Sequence, residues 1–145
     1  DGIPNFFLGA VVNPGYEPLE LQIIKMEKKI VAGARFFQTQ VVFDIKVFEN
    51  FIKESSKFKV PVLAGIVLLK SVGMAQFMNN NVAGVTVPEK YIKMIADAEK
   101  EERPKISIRI AAELIREMRN VCSGIHIMSL GWDRYIPDVL SQAGL

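Results

Sequence analysis

Apolar residues along this chain follow two alternating rhythms. Short runs of bulky side chains predict strands over residues 6–12, 35–40, 60–67 and 124–130. The run 60–67 is apolar on both faces, as a buried parallel strand should be. Between these runs the spacing becomes helical. Residues 19–32 form the first such stretch, with Ile23, Met26, Ile30, Ile24 and Val31 on one side and Gly33 as its left-handed stop. Residues 45–57 carry Phe48, Phe51 and Ile52 at helical spacing behind Asp44, an N-cap type. After the strand at 60–67, a loop over 68–73 leads to a short helix over 74–79, then to a brief strand-like piece at 84–87 closed by Pro88. Residues 89–99 read as helix and the charged run 100–105 as a solvated connection. A longer helix over 106–121 carries a buried stripe of Ile110, Leu114, Ile115 and Met118. Asp133 opens a last helix that runs to Ala143 and stops at Gly144.

Strands that alternate with helices imply a parallel sheet. Right-handed crossovers leave two outcomes, an open sheet or part of a barrel. Four βα units are half of an eight-unit TIM-type barrel. A lone half-barrel would expose two hydrogen-bonding edges and an inner apolar face. The expectation is one α/β domain over residues 1–145, completed by further sequence, by a second subunit or by a copy of itself. No internal repeat is evident.

Composition narrows the function classes. Half of the residues are hydrophobic and 23% are charged, enough for a packed core. A formal net charge of +2 argues against nucleic acid as the main partner. The single cysteine, Cys122, excludes an internal disulfide and fits a reducing compartment, hence a cytoplasmic location. The apolar stretch 60–69 is interrupted by Pro61 and Gly65, so no run is long enough to span a bilayer and no membrane partner is expected. The chain opens with Asp1 and carries no recognisable signal peptide; its N-terminus reads as the edge of something larger.

Four groups of residues have chemical potential. Gln22, Lys25 and Lys29 stand at i, i+3 and i+7 on one helix face, where two ammonium groups and an amide can hold a phosphate and a ribose. The ordinary reading of that pattern is a solvated lysine-rich face. Asn13-Pro14, just before the helix, puts an amide at a strand's carboxyl edge and favours the functional reading. Thr39-Gln40 ends the second strand. The amide suits a heterocycle because it both donates and accepts, while a polar strand terminus capping the next helix is equally open. His126, the only histidine, has no nucleophile or carboxylate at motif spacing and reads as a packed strand residue with its ring nitrogens satisfied. One histidine and one cysteine do not make a zinc site, and no metal is expected. Trp132 follows the last strand, where it stacks on a planar ligand or plugs the barrel mouth. Gly65, in Gly65-Ile66-Val67, allows close backbone approach, and no dinucleotide or Walker-type glycine fingerprint is present.

Together these segments resemble the C-terminal half of the methylenetetrahydrofolate reductase family. The matching pieces are Asn13-Pro14, Lys28-Lys29 with Ala32-Gly33-Ala34, and the string Phe36-Phe37-Gln38-Thr39-Gln40-Val41-Val42-Phe43-Asp44. Residues 61–66 with Gly65-Ile66, Gly84-Val85-Thr86-Val87-Pro88, and Gly124-Ile125-His126-Ile127-Met128 with Gly131-Trp132 follow in the family's order. The resemblance implies an eight-stranded β/α barrel with FAD at the carboxyl ends of its strands. It implies hydride transfer through the flavin between methylenetetrahydrofolate and methyltetrahydrofolate, within one-carbon metabolism and methionine biosynthesis. The electron donor stays open among a nicotinamide, a ferredoxin and another partner protein.

By the same resemblance, Gln40 matches a glutamine that contacts the folate pterin, and Lys29 a lysine near the FAD ribose and phosphates. Asn13 and Lys25 fall at flavin-contacting positions. Gln22 stands where many relatives carry an aspartate. Met74 and Trp132 fall near substrate-lining positions but differ in residue type from bacterial relatives, and Leu68 replaces a proline. The family's acidic residue that supports folate protonation belongs to the N-terminal half, so no catalytic residue is assigned within this chain. The alternative is a non-catalytic flavin- or folate-binding scaffold subunit that keeps the fold.

Overall fold

Four parallel strands form one sheet in the order β1 (Gly9–Val12), β2 (Phe36–Val41), β3 (Val62–Val67) and β4 (Gly124–Met128). The computed structural model describes Gly2 and residues 5–145. Helix α1 (Leu19–Val31) connects β1 to β2, and α2 (Ile45–Ser55) connects β2 to β3. Three helices, α3 (Val72–Asn81), α4 (Glu89–Ala96) and α5 (Arg103–Met118), lie between β3 and β4, and α6 (Ile136–Ala143) follows β4. This is an α/β fold consistent with a partial TIM barrel.

Local chemistry sets the element ends. Gly33, at φ +107°, closes α1: its N–H donates to Ile30 O and the Ala34 N–H to Lys29 O, both at 2.9 Å. This pairing satisfies carbonyls that the last helical turn leaves free. Asp44 caps α2, its carboxylate accepting from the N–H groups of Lys46 and Val47 at 2.8 and 3.2 Å. Gly144, at φ +74°, ends α6 as expected.

The sheet has two unlike faces. Phe37, Val62, Ala64 and Ile66 are buried beneath the helices. Ile110, Leu114, Ile115 and Met118 of α5 are fully buried, as their spacing predicts. Neighbours in register share a face, so Val11, Gln38, Leu63 and Gly124 form one row across the other side. Gly65 pairs with His126, and Val67 with Met128, in further rows of that side. This face is left open: Val11 is 66% exposed, and every residue of β4 is only partly buried.

Several expectations change. The first strand begins at Gly9, not at residue 6, and Phe6, Phe7 and Leu8 are exposed. Ile24 and Val31 do not join the buried side of α1; they are exposed with Leu21. Residues 84–87 form no strand, because the Asn79 side chain occupies the backbone of Val87, accepting from its N–H at 2.6 Å and donating to its carbonyl at 3.3 Å. The charged run is not all connection: α5 starts at Arg103, with Pro104 in its first turn, where a missing N–H costs nothing. Asp133 does not cap α6; it opens a single 3-10 turn and accepts from the Ser129 hydroxyl at 2.6 Å. Among the described residues no helix is long and apolar enough to cross a membrane.

Candidate functional site

At the carboxyl end of β2 the strand pairing slips. Phe37 and Gln38 face Val62 and Leu63, but Val41 then faces Gly65, so two residues of β2 stand against one of β3. This is a β-bulge formed by Thr39 and Gln40. The Thr39 hydroxyl accepts from the Gly65 N–H at 2.8 Å and donates to the Gln40 carbonyl at 2.7 Å. A Cβ on Gly65 would stand 2.5 Å from Thr39 O and 3.0 Å from Gln40 O, so only glycine admits this approach. The Gln40 side-chain Oε1 accepts from the Val41 N–H at 3.0 Å.

Gln40 lines a cavity of about 400 Å³ between the open face of the sheet and α1. Five residues singled out from the sequence meet there: Asn13, Gln22, Lys25, Lys29 and Gln40. Val11 and Met128 supply apolar wall, and Gln38 and His126 further polar groups. Among the described residues no carboxylate lines the cavity, so its two ammonium groups make it a place for an anionic ligand.

The members are held in different ways. Gln22 is 7% exposed, turned inward from α1. The Lys29 ammonium donates to the Val11 carbonyl at 2.6 Å, so this lysine is not the free solvated group the helix pattern predicts. Lys25 is exposed, its ammonium 5.6 Å from the Tyr16 ring centroid. Asn13 donates from Nδ2 to Ala83 O at 2.7 Å, pinning the loop that follows α3, while its Oδ1 is buried without a partner among the described residues.

His126 corrects the sequence reading. Its Nδ1 is buried and has no partner among the described residues, and His126 lines the cavity. The sequence hides this, because the pairing of His126 with Gly65, which has no side chain to cover it, is set by the sheet register.

Met74 and Trp132 do not line this cavity. They meet at Lys70, just beyond the carboxyl end of β3. The Lys70 N–H points at the Met74 sulfur at 3.5 Å, and the Lys70 ammonium lies 5.4 Å from the Trp132 ring centroid. That ammonium also donates to the carbonyl of Leu130, a residue at φ +52°. Trp132 packs edge-on against Tyr135 at 5.4 Å. In the sequence Lys70, near the end of the stretch 65–71, has no role of its own, because only the fold brings residues 60 positions apart together. Among the described residues no group of histidine, cysteine, aspartate and glutamate is arranged to hold a metal.

Comparison with known proteins bears on this arrangement. The sequence profile of the methylenetetrahydrofolate reductase family matches residues 10–144. Methylenetetrahydrofolate reductase 2 of Schizosaccharomyces pombe is 25% identical over 130 residues, covering 81% of this chain and 20% of that protein. Among solved structures, an uncharacterized protein from Clostridium thermocellum that binds two copies of 5-methyl-5,6,7,8-tetrahydrofolic acid superposes with a TM-score of 0.61. That match has 18% identity and covers 94% of this chain and 52% of the other, a likeness of fold. The chain therefore spans about half of the structural relative and a fifth of the yeast protein. Because the family profile extends over nearly all of its residues, the chain belongs to the methylenetetrahydrofolate reductase family.

Proposed function

We propose that this chain forms the C-terminal half, strands 5–8, of a (β/α)8 barrel that uses FAD to interconvert methylenetetrahydrofolate and methyltetrahydrofolate. The observation that carries this reading is the gathering of Asn13, Gln22, Lys25, Lys29 and Gln40 around one cavity at the carboxyl ends of the strands. Ligands of parallel barrels sit at that end.

The residues present suit a flavin nucleotide. Two ammonium groups beside an inward-turned amide match a diphosphate and a ribose. Lys29 keeps two N–H donors beyond its bond to Val11. His126 Nδ1, on a residue that lines the cavity, is buried with no partner among the described residues, and a polar ligand would satisfy it. FAD supplies hydride transfer when bound. This chain's part is to bind and orient: Lys25 and Lys29 neutralise the diphosphate, and Gln40 hydrogen-bonds the pterin of the folate. Met74 and Trp132, joined through Lys70, form the rim against which the rest of the folate lies.

The exposed apolar surface supports completion by a second half. Phe6, Phe7 and Leu8 lead into the free edge of β1, and Leu21, Ile24 and Val31 stand out from the adjoining helix, Val31 at 85% exposure. Exposed apolar side chains on two adjoining elements suit an interface. The missing half, as further sequence, a separate subunit or a second copy, would cover it and supply the acidic residue for folate protonation.

The test is purification of the native protein, with its intact polypeptide mass and visible spectrum. The expected result is either a polypeptide about twice this length or a tightly associated second chain, with bound flavin that a folate reduces. Material that carries flavin but never exchanges hydride with a folate would favour the scaffold reading, to which the altered residue types at Gln22, Met74 and Trp132 already lean. Material with no flavin at all would end the enzyme reading, and material that binds neither flavin nor folate would end both.

A further inference from the structure

We infer that Thr39 is a positioning residue for Gln40, and that it fixes the glutamine as a hydrogen-bond donor to the ligand; this rests on the reading of Gln40 as the pterin contact. In unbroken register Gln40 would stand opposite Gly65, two residues on from the Gln38–Leu63 pair. The bulge puts Val41 there instead. A bulge leaves ladder groups unpaired. Here the group at risk is the buried Gly65 N–H, and the Thr39 hydroxyl accepts it at 2.8 Å. The proton of the same hydroxyl goes to Gln40 O at 2.7 Å. One buried side chain thus binds the neighbouring strand and the backbone of Gln40 at once.

The second consequence concerns the amide itself. Val41 N–H donates to Gln40 Oε1 at 3.0 Å, which fixes which end of the amide is oxygen. The strand takes one lone pair of the oxygen, so the NH₂ group is the part of Gln40 left wholly uncommitted. Such a glutamine selects an acceptor edge of a heterocycle, a ring carbonyl or an unprotonated ring nitrogen, over a donor edge. Thr39 maintains the bulge that creates this presentation; it is itself buried and borders the same cavity.

The experiment is a double-mutant cycle in the assembled, flavin-loaded protein, reading the dissociation constant for 5-methyltetrahydrofolate together with flavin content and melting temperature. Thr39→Val keeps the shape and removes the hydroxyl; Thr39→Ser keeps the hydroxyl. The inference expects Thr39→Val to weaken folate binding about tenfold at unchanged flavin content, and Thr39→Ser to restore it to within about twofold. In a Gln40→Ala background, Thr39→Val should cause no further loss of folate affinity. A lower melting temperature accompanies Thr39→Val in both backgrounds, so stability alone does not decide the matter. Should Thr39→Val fail to fold, Thr39→Cys, which leaves a weak acceptor in place, enters the same cycle. Full additivity, or unchanged folate affinity in Thr39→Val beside a weakened Gln40→Ala, overturns the inference and leaves the pterin reading intact. Unchanged affinity in Gln40→Ala overturns both.

Discussion

The Lys29 ammonium sits 2.6 Å from the Val11 carbonyl oxygen, tying the last turns of α1 to the edge strand β1. A lysine that a helix pattern assigns to solvent is thereby a structural contact as well as a cavity cation. Replacing it with alanine should cost about 1 kcal/mol of stability, since the bond is charge-assisted but partly exposed. The same change should weaken flavin retention. Lys25→Ala removes the neighbouring cation from an exposed position and should leave stability within about 0.5 kcal/mol while also weakening flavin retention. Urea denaturation and flavin content, measured side by side, separate the two lysines.

Gln40 carries a different expectation. Gln40→Leu deletes the amide that faces the cavity and keeps the volume. Folate turnover should fall far more than flavin content, because a ligand polar group loses its partner in a desolvated site. Steady-state kinetics with a folate, normalised to bound flavin, read this directly. Equal loss of both quantities would mean that the bulge has collapsed.

Asp44 offers a control from outside the cavity. Its carboxylate caps α2 through Lys46 and Val47. Asp44→Ala should cost about 1 kcal/mol of stability and leave ligand affinity unchanged. Asp44→Asn, which keeps an accepting oxygen, should recover most of the loss in thermal melts.

Tyr91 of α4 sets an alkaline limit. Burial raises its phenol above the ordinary value of 10.0, and its hydroxyl donates to Glu113 of α5 at 3.1 Å. The unfolded chain therefore gives up this proton at lower pH than the folded one. The contribution is complete below pH about 10 and is lost as pH rises through the higher folded value. Unfolding midpoints should fall more steeply above pH about 10 for the native protein than for Tyr91→Phe, and run parallel below it. Curves parallel throughout would show that the phenol has no such role.

Much of this molecule could be read from short-range pattern. The four strands, the Asp44 cap, the Gly33 and Gly144 stops and the α5 stripe all depend on residues within a few positions of one another. What escaped depended on distant partners. Residues 84–87 have strand composition, yet Asn79 takes the hydrogen bonds that a ladder would have used. Ile24 and Val31 follow an apolar period, but the surface they would cover is not formed by the described residues. The unpartnered His126 nitrogen, the Lys70 link between Met74 and Trp132, and the register slip at Thr39 emerge only when strands lie side by side. Five of the seven candidate ligand contacts did converge, because one helix face and two strand ends of a βα unit necessarily adjoin.

The central claim is that the cavity framed by Lys25, Lys29 and Gln40 holds a flavin that exchanges hydride with a folate. Its most direct test is the visible absorption spectrum of the native assembled protein, recorded anaerobically before and after addition of methyltetrahydrofolate. The account predicts oxidised flavin bands that bleach on addition, and bands that are diminished in Lys29→Ala protein. A colourless native protein, or a bound flavin whose spectrum the folate leaves untouched, would contradict it.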